Sequence, residues 1–352
     1  DATWALGARH ELGFGFNLRR RRSEIDGYEA ADSTDYASGA PARHIVSRPG
    51  VDYPGFYIED KMRLWGPLYA TAGARADYAS SSEQWTVDPR AAVAWRVDDR
   101  QTVRLATGRY HQLPRARYRD PVYGNPGLGP MRADHVIMGY ERISDHSNVR
   151  LEAYRKSYRE LVTNDAASFY ANGGHGYATG ADAYVKGNVK WLSGWVSYGY
   201  LDTRRKEFSN RRQVPSAYGV RHSLTLVGTY QYNPAWSVGS RYSASSGRPF
   251  TPVLSATYDT GRDLWRPGFA EDNSGQLPAY HRLDVRLTKL FSMPKGLSLP
   301  ASSVCVAYCE GLNVLGLRNV LDYSYNEDYT ERREQESYFA RRMLVAGFAL
   351  SW

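Results

Sequence analysis

Stretches of about ten residues in which apolar and polar side chains alternate recur along the whole chain, and this pattern restricts its fold more than any other feature. The last ten residues show it plainly. Leu344, Ala346, Phe348, Leu350 and Trp352 fall on one face of a strand, and Met343, Val345, Gly347, Ala349 and Ser351 fall on the other, smaller or mixed one. A soluble sheet rarely ends on a bulky apolar edge of that kind, because an open edge invites pairing with other chains. A strand in the wall of a membrane barrel has hydrocarbon on one side and a neighbouring strand on each flank.

The same alternation appears in "HELGFGFNLR", "GFYIEDKMRLW", "YATAGARADY", "RAAVAWRV", "QTVRLATGRYHQ", "DHVIMGYERI", "NVRLEAYRKSYREL" and "GYATGADAYVKGNVKW". It continues in "GWVSYGYLDT", "HSLTLVGTYQY", "WSVGSRYSAS", "HRLDVRLTKLF", "SVCVAYCEGLNVLGL" and the terminal segment, giving about 14 strands of bilayer-spanning length. Short connections ("WGPLY", "VDDRQ", "SDHSN", "YNPAW") alternate with long ones at residues 22–53, 114–131, 164–175, 204–219 and 252–279. Two connections depart from this scheme: "FSMPKGLSLPASS" is long for the short-turn side, and "SSSEQ" is short for the long-loop side. The expected fold class is all-β. It is a transmembrane antiparallel up-and-down β-barrel with short periplasmic turns and long extracellular loops, one domain over residues 1–352, its first and last strands meeting in a closing seam.

Composition agrees where it discriminates. There are 28 tyrosines and nine tryptophans against ten phenylalanines, the balance of a wall crossing two membrane–water interfaces. Mean hydropathy is −0.57, which suits a barrel because only alternate residues meet lipid. No apolar run approaches the roughly 18 residues of a transmembrane helix. The net charge of +8 suggests nucleic acid at first sight, but no recognition helix or compact basic motif accompanies it, so a nucleic-acid partner is not expected. The one dense basic run, Arg19 to Arg22, reads either as a solvated strand end or as a contact for phosphates of a lipid surface.

A search for chemistry yields little. The eight histidines (His10, His44, His111, His135, His146, His175, His222 and His281) form no H-E-x-x-H pair, and there is no nucleophile elbow or phosphate-binding loop. No catalytic residue, metal site or cofactor is expected, and His111 and His222 are read as strand-end hydrogen-bonding groups. Cys305 and Cys309 would lie about 13 Å apart on one strand, too far for a disulfide. The better candidates are the charges that strand phase turns into the lumen: Arg75, Asp77, Arg104, Arg109, Arg241, Arg282, Asp284 and Arg286. They either pair across strands and hold the wall's shape or favour anionic solutes.

Several ordered motifs resemble the barrel of TonB-dependent outer-membrane receptors. "GARADY" with "DPRAAVAW" is similar to that family's G-x-R-x-D strand and the Pro-Arg opening the next. "LATGRYHQLP" is similar to its G-x-Y-x-Q-x-P strand end. "GNPGLGPMRADHVIMGYE" is the most specific match, and "LEAYRKSY", "SGRPFTP", "PAYHRLDVRLTK" and "GLNVLGLRNVLDYSY" follow in order. The resemblance runs from about residue 54 to residue 352 and implies the C-terminal part of a receptor barrel, located in the bacterial outer membrane. It implies that Phe348, Leu350 and Trp352 act as the signal read by the barrel-insertion machinery, with Trp in place of the commoner Phe. Family barrels have about 22 strands around a plug. No plug or TonB box is visible here, so TonB-powered uptake does not carry over to this chain alone. The expected function is outer-membrane transport, passing or binding a solute in a charged Tyr/Arg-lined lumen. The alternative is a scaffold barrel anchoring a surface assembly. Expected partners are outer-membrane lipid or lipopolysaccharide, the insertion machinery, and a separate plug or partner protein.

Overall fold

In a computed structural model of the chain, residues 1–30, 42–165, 168–206, 208, 211–292, 304–337 and 341–351 are described. They form one 16-stranded antiparallel sheet, in which a two-residue strand, Val214–Pro215, lies off a path of fifteen. Along that path every strand neighbours the next in sequence: β1 (Ala2–Leu6), β2 (His10–Arg22), β3 (Gly50–Trp65), β4 (Leu68–Ala79) and β5 (Gln84–Arg96). Then come β6 (Gln101–Gln112), β7 (Met131–Ile143), β8 (Ser147–Asp165), β9 (Phe169–Val189) and β10 (Leu192–Arg205). The path ends with β11 (His222–Asn233), β12 (Trp236–Ser245), β13 (Tyr280–Ser292), β14 (Val304–Leu312) and β15 (Met343–Ser351). Among the described residues no helix is long and apolar enough to cross a membrane, which leaves any crossing to strands.

Each of the fourteen segments read as strands from alternation contains a strand, and β1 is an addition that five residues were too short to announce. β1 pairs with β2 alone and β15 with β14 alone, so no seam joins first to last strand among the described residues. The closing seam expected from the sequence is therefore not observed.

The turn asymmetry is present. At one end the strands are joined by Gly7–Arg9, Gly66–Pro67, Val97–Arg100, Ser144–His146, Lys190–Trp191 and Pro234–Ala235. Gly66 takes φ +49° in its two-residue turn, a conformation that suits glycine. At the other end the excursions carry their own hairpins, Ile25–Ala30 with Ala42–Ser47, Val253–Asp259 with Leu264–Phe269, and Val320–Tyr325 with Arg332–Glu336. Two loop assignments need correction. Residues 164–175 are not a long loop, because β8 and β9 run on for 19 and 21 residues. The end of "SVCVAYCEGLNVLGL", "NVLGL", is not strand, because β14 stops at Leu312 and Asn313 turns with φ +48° into the excursion ending at β15. The long segment "FSMPKGLSLPASS" lies mostly outside the described residues, while "SSSEQ" is a tight turn between β4 and β5.

Register makes the two faces consistent across strands. One face carries Phe14, Phe16, Ile58, Leu105, Met138, Leu151, Val185, Leu226 and Leu287, all prominently exposed large apolar residues. Leu344 and Phe348 of β15 join that face at 75% and 70% exposure, beside Leu350; Trp352 lies outside the described residues. Such a surface is stable only against hydrocarbon. The opposite face carries the charges. Buried apolar side chains are few (Val51, Leu128, Val162, Val214 and Leu277 among them) and gather where loops fold against strand ends. Asn319 shows how a loop is tied down. Its side-chain amide donates to the His281 carbonyl at 3.0 Å and its oxygen accepts the His281 amide at 2.9 Å, extending β13's ladder with a side chain.

Candidate functional site: the polar face

On β4 the alternation Thr71, Gly73, Arg75, Asp77 turns an arginine and an aspartate to one face two residues apart. Arg75 Nε and Nη2 donate to the two Asp77 oxygens at 2.6 and 2.5 Å, and Nη2 also reaches Asn17 at 2.9 Å. Gly55, the Cα partner of Asp77 on β3, leaves the space this pair fills, since a Cβ there would strike both side chains. Arg19 lies over the Tyr53 ring and 3.9 Å from Asp77. Next to them Asp88 accepts from His111 through the ring nitrogen at 2.6 Å and the backbone amide at 3.2 Å. Asp77 and Asp88 are 5% and 4% exposed, so this end of the polar face is a closed ionic network.

Arg104 follows the same logic with fewer partners. It meets Glu141 at 3.1 Å, and Arg150 holds the other Glu141 oxygen at 3.1 Å. At the far edge Arg282 donates to Asp284 at 2.7 Å, which also accepts the Asn313 amide at 2.8 Å. Arg286 stacks over the Tyr308 ring at 3.7 Å and stands 3.8 Å from Glu310. Arg241 sits opposite Asp284 in register, with no salt bridge among the described residues.

Seven of the eight charges assigned to the lumen from the sequence thus share the polar face, spread over three clusters. Arg109 does not. It pairs in register with Asp134 and donates to it at 2.9 Å, on the face of Leu105 and Thr107. Strict period-two counting from Arg104 puts residue 109 on the other side, so its lumen assignment is corrected. The basic run on β2 divides the same way. Arg19 and Arg21 fall on the polar face, while Arg20 and Arg22 fall on the outer one and share Asp52 at 3.0 and 3.2 Å. His222 accepts or donates at a strand end with the Tyr198 hydroxyl at 2.9 Å. Cys305 and Cys309 are free thiols.

The sequence reading missed a cavity on this face. About 330 Å³ opens between β8, β9, β10 and the loop after β10, lined by Tyr154, Lys156, Tyr158, Thr203, Arg205 and Tyr218 among others. "YRKSY" contained the signal: Tyr154, Lys156 and Tyr158 are in phase with each other and out of phase with Arg155 and Ser157. None of the lining residues is acidic. The Lys156 ammonium sits 5.0 Å from the Tyr154 ring centre, a soft contact that leaves it able to take an anion.

The comparisons with known proteins bear directly on this arrangement. A family profile described as "TonB dependent receptor-like, beta-barrel" matches residues 1–303. The chain belongs to that family. Its sheet is a transmembrane barrel wall of the bacterial outer membrane, with the apolar face to lipid. Solved structures agree on the fold. The outer membrane transporter YddB from Escherichia coli matches with a TM-score of 0.67 at 14% identity, over 99% of this chain and 52% of that one. The siderophore receptor PiuA from Acinetobacter baumannii gives 0.66 at 14%, over 99% and 54%. The FrpB iron transporter from Neisseria meningitidis gives 0.65 at 14%, over 99% and 54%. The chain therefore spans about half the length of these structures, all of them transporters or receptors by name.

Membership also explains the motifs. In "GNPGLGP", Asn125 donates to the Tyr170 carbonyl at 2.8 Å, Leu128 is 1% exposed, and Gly129 exchanges hydrogen bonds with Asn172. The segment pins a loop onto β9. In "SGRPFTP", Gly247 lies so close to the Leu277 carbonyl that no side chain could fit.

Proposed function

We propose that this wall serves outer-membrane transport, with residues 1–352 acting as one barrel domain, and that its polar face receives an anionic solute at the Lys156 cavity. The supporting observation is the lining itself: Lys156 and three tyrosines meet at a recess none of whose lining residues is acidic, whereas Arg75 and Arg282 are each held against a carboxylate. An ammonium and phenol hydroxyls around a recess on a low-dielectric wall suit a small anion with a flat or oxygen-rich body. Arg104, Arg241 and Arg286, partly exposed on the same face, extend the positive lining. Phe348, Leu350 and Trp352 are proposed as the end of the wall read by the insertion machinery. A separate plug or partner protein would meet the polar face.

The test is a reversal-potential measurement on the full chain in planar bilayers under a potassium chloride gradient, together with calorimetry of benzoate against neutral benzamide. Anion-selective current, with benzoate favoured about tenfold and that preference lost in K156Q, is the expected result. No current and no preference would favour the scaffold alternative.

A further inference from the structure

Below the Lys156 cavity, toward the short turns, two carboxylates face each other on the polar side of the wall. Lys156, Tyr154 and Glu152 follow at alternate positions down β8, and their Cα partners on β9 are Ala178, Gly180 and Asp182. Glu152 and Asp182 are thus like charges directly opposite on adjacent strands, an arrangement that destabilises a sheet. Among the described residues no salt bridge or side-chain hydrogen bond reaches either of them, or Lys156. Arg104, in the same row as Glu152, and Arg150, the next in-phase residue down β8, are both held by Glu141 at 3.1 Å.

Glycines clear the ground between the opposite charges. The Tyr154 ring lies over Gly180, where a Cβ would strike its hydroxyl, and the Lys156 ammonium stands 5.0 Å from that ring's centre. Asp182 leans over Gly199, its Cα partner on β10, where a Cβ would crowd its carboxylate. Glu152 lines a recess of about 190 Å³. One face therefore presents an ammonium beside Tyr154 and a carboxylate pair one row, about 7 Å, lower.

An anion alone answers only the upper half of this arrangement. We propose that the solute is a zwitterion, its anionic group on Lys156 and the tyrosine hydroxyls and its protonated amine between Glu152 and Asp182. This rests on the reading of the Lys156 cavity as a solute site and narrows it to a substrate class. An ammonium placed between two carboxylates makes a charge-assisted hydrogen bond to each and removes their repulsion. A monocarboxylate leaves the acidic pair opposed, and a simple amine leaves Lys156 without a counter-charge. Glu152 and Asp182 are on this account specificity-determining residues, selecting among anions by what lies at the other end of the molecule.

The experiment is calorimetry of the full chain in phosphatidylcholine nanodiscs with 4-(aminomethyl)benzoate, a zwitterion at neutral pH, against 4-methylbenzoate, which keeps the shape and the carboxylate but lacks the ammonium. The zwitterion should bind about tenfold more tightly, and E152Q/D182N should bring that ratio near one. A wild-type ratio near one, with benzoate still preferred to benzamide, overturns the zwitterion and leaves the anion site standing; it needs no variant to fold. Loss of the benzoate preference as well removes both readings. A tenfold ratio that persists in the double variant overturns the placement of the amine between Glu152 and Asp182. Should the double variant fail to insert, D182N alone must lower the ratio, and an unchanged ratio there counts against the proposal.

Discussion

Two regions of the polar face, about four strands apart, handle charge in opposite ways. On β4 and β5, Arg75 finds its carboxylate two residues along the same strand, and both are largely hidden from water. On β8 and β9, Lys156 has Ala178 opposite it and tyrosines on either side along the strand. The first arrangement spends its charge on holding strands in register. The second keeps its charge available. A basic composition by itself says nothing of which use prevails; the residue two positions along, and the residue across the ladder, decide it.

The largest expected effect lies in the closed region. D77A leaves Arg75 and its neighbours with a partly buried positive charge and no carboxylate, costing about 3 kcal/mol; guanidinium unfolding of the lipid-embedded protein measures it. A loss near zero would mean that the network is decorative and would erase the contrast. In the open region, K156Q should change stability by less than about 0.5 kcal/mol while removing the preference for benzoate over benzamide.

The contrast can also be transplanted. Ala178 is the Cα partner of Lys156, so A178D puts a carboxylate directly across from the ammonium and should convert the open region into a closed pair. Anion selectivity should fall about as far as in K156Q, and A178N should keep it. Equal losses in both variants would point to blockage of the cavity rather than neutralisation.

The smallest effect is outside the wall. In the turn between β5 and β6, Asp98 accepts the Arg100 amide at 2.8 Å and the Gln101 side chain at 2.6 Å. The amide bond first, and then the Gln101 bond, hold its carboxyl below the ordinary carboxylate range. A depressed folded-state pKa contributes stability above the unfolded pKa and loses it as pH falls through the lower folded value. D98N should therefore flatten the acid limb of the stability profile slightly and leave the neutral region unaltered.

Much of the wall was legible because period-two alternation is a direct record of two different solvents, lipid and water, on its two sides. Legibility failed where that record is weak. β1 has only five residues. The strand extensions at Asn164–Asp165 and Phe169–His175 rise past the bilayer, where both faces are wet and polarity no longer alternates. "GLNVLGLRN" keeps alternating through a loop, because Asn313 and Asn319 are buried for their hydrogen bonds to strand ends. Arg109 was misread for a related reason. Charge was equated with lumen, but beyond the apolar band the outer face can bear charge as well. The Lys156 cavity went unnoticed because Ser216 and Tyr218 of the loop after β10 complete it, and strand periodicity does not place loop residues.

The central claim is that the charged face lines the lumen and the apolar face meets hydrocarbon. Spin labels at L105C and R104C, each in a Cys305→Ser, Cys309→Ser background reconstituted in bilayers, test it most directly through power saturation with oxygen and a water-soluble nickel chelate. The account requires the label at 105 to respond to oxygen and the label at 104 to the nickel chelate. The reverse pattern, or equal access for both, would contradict it.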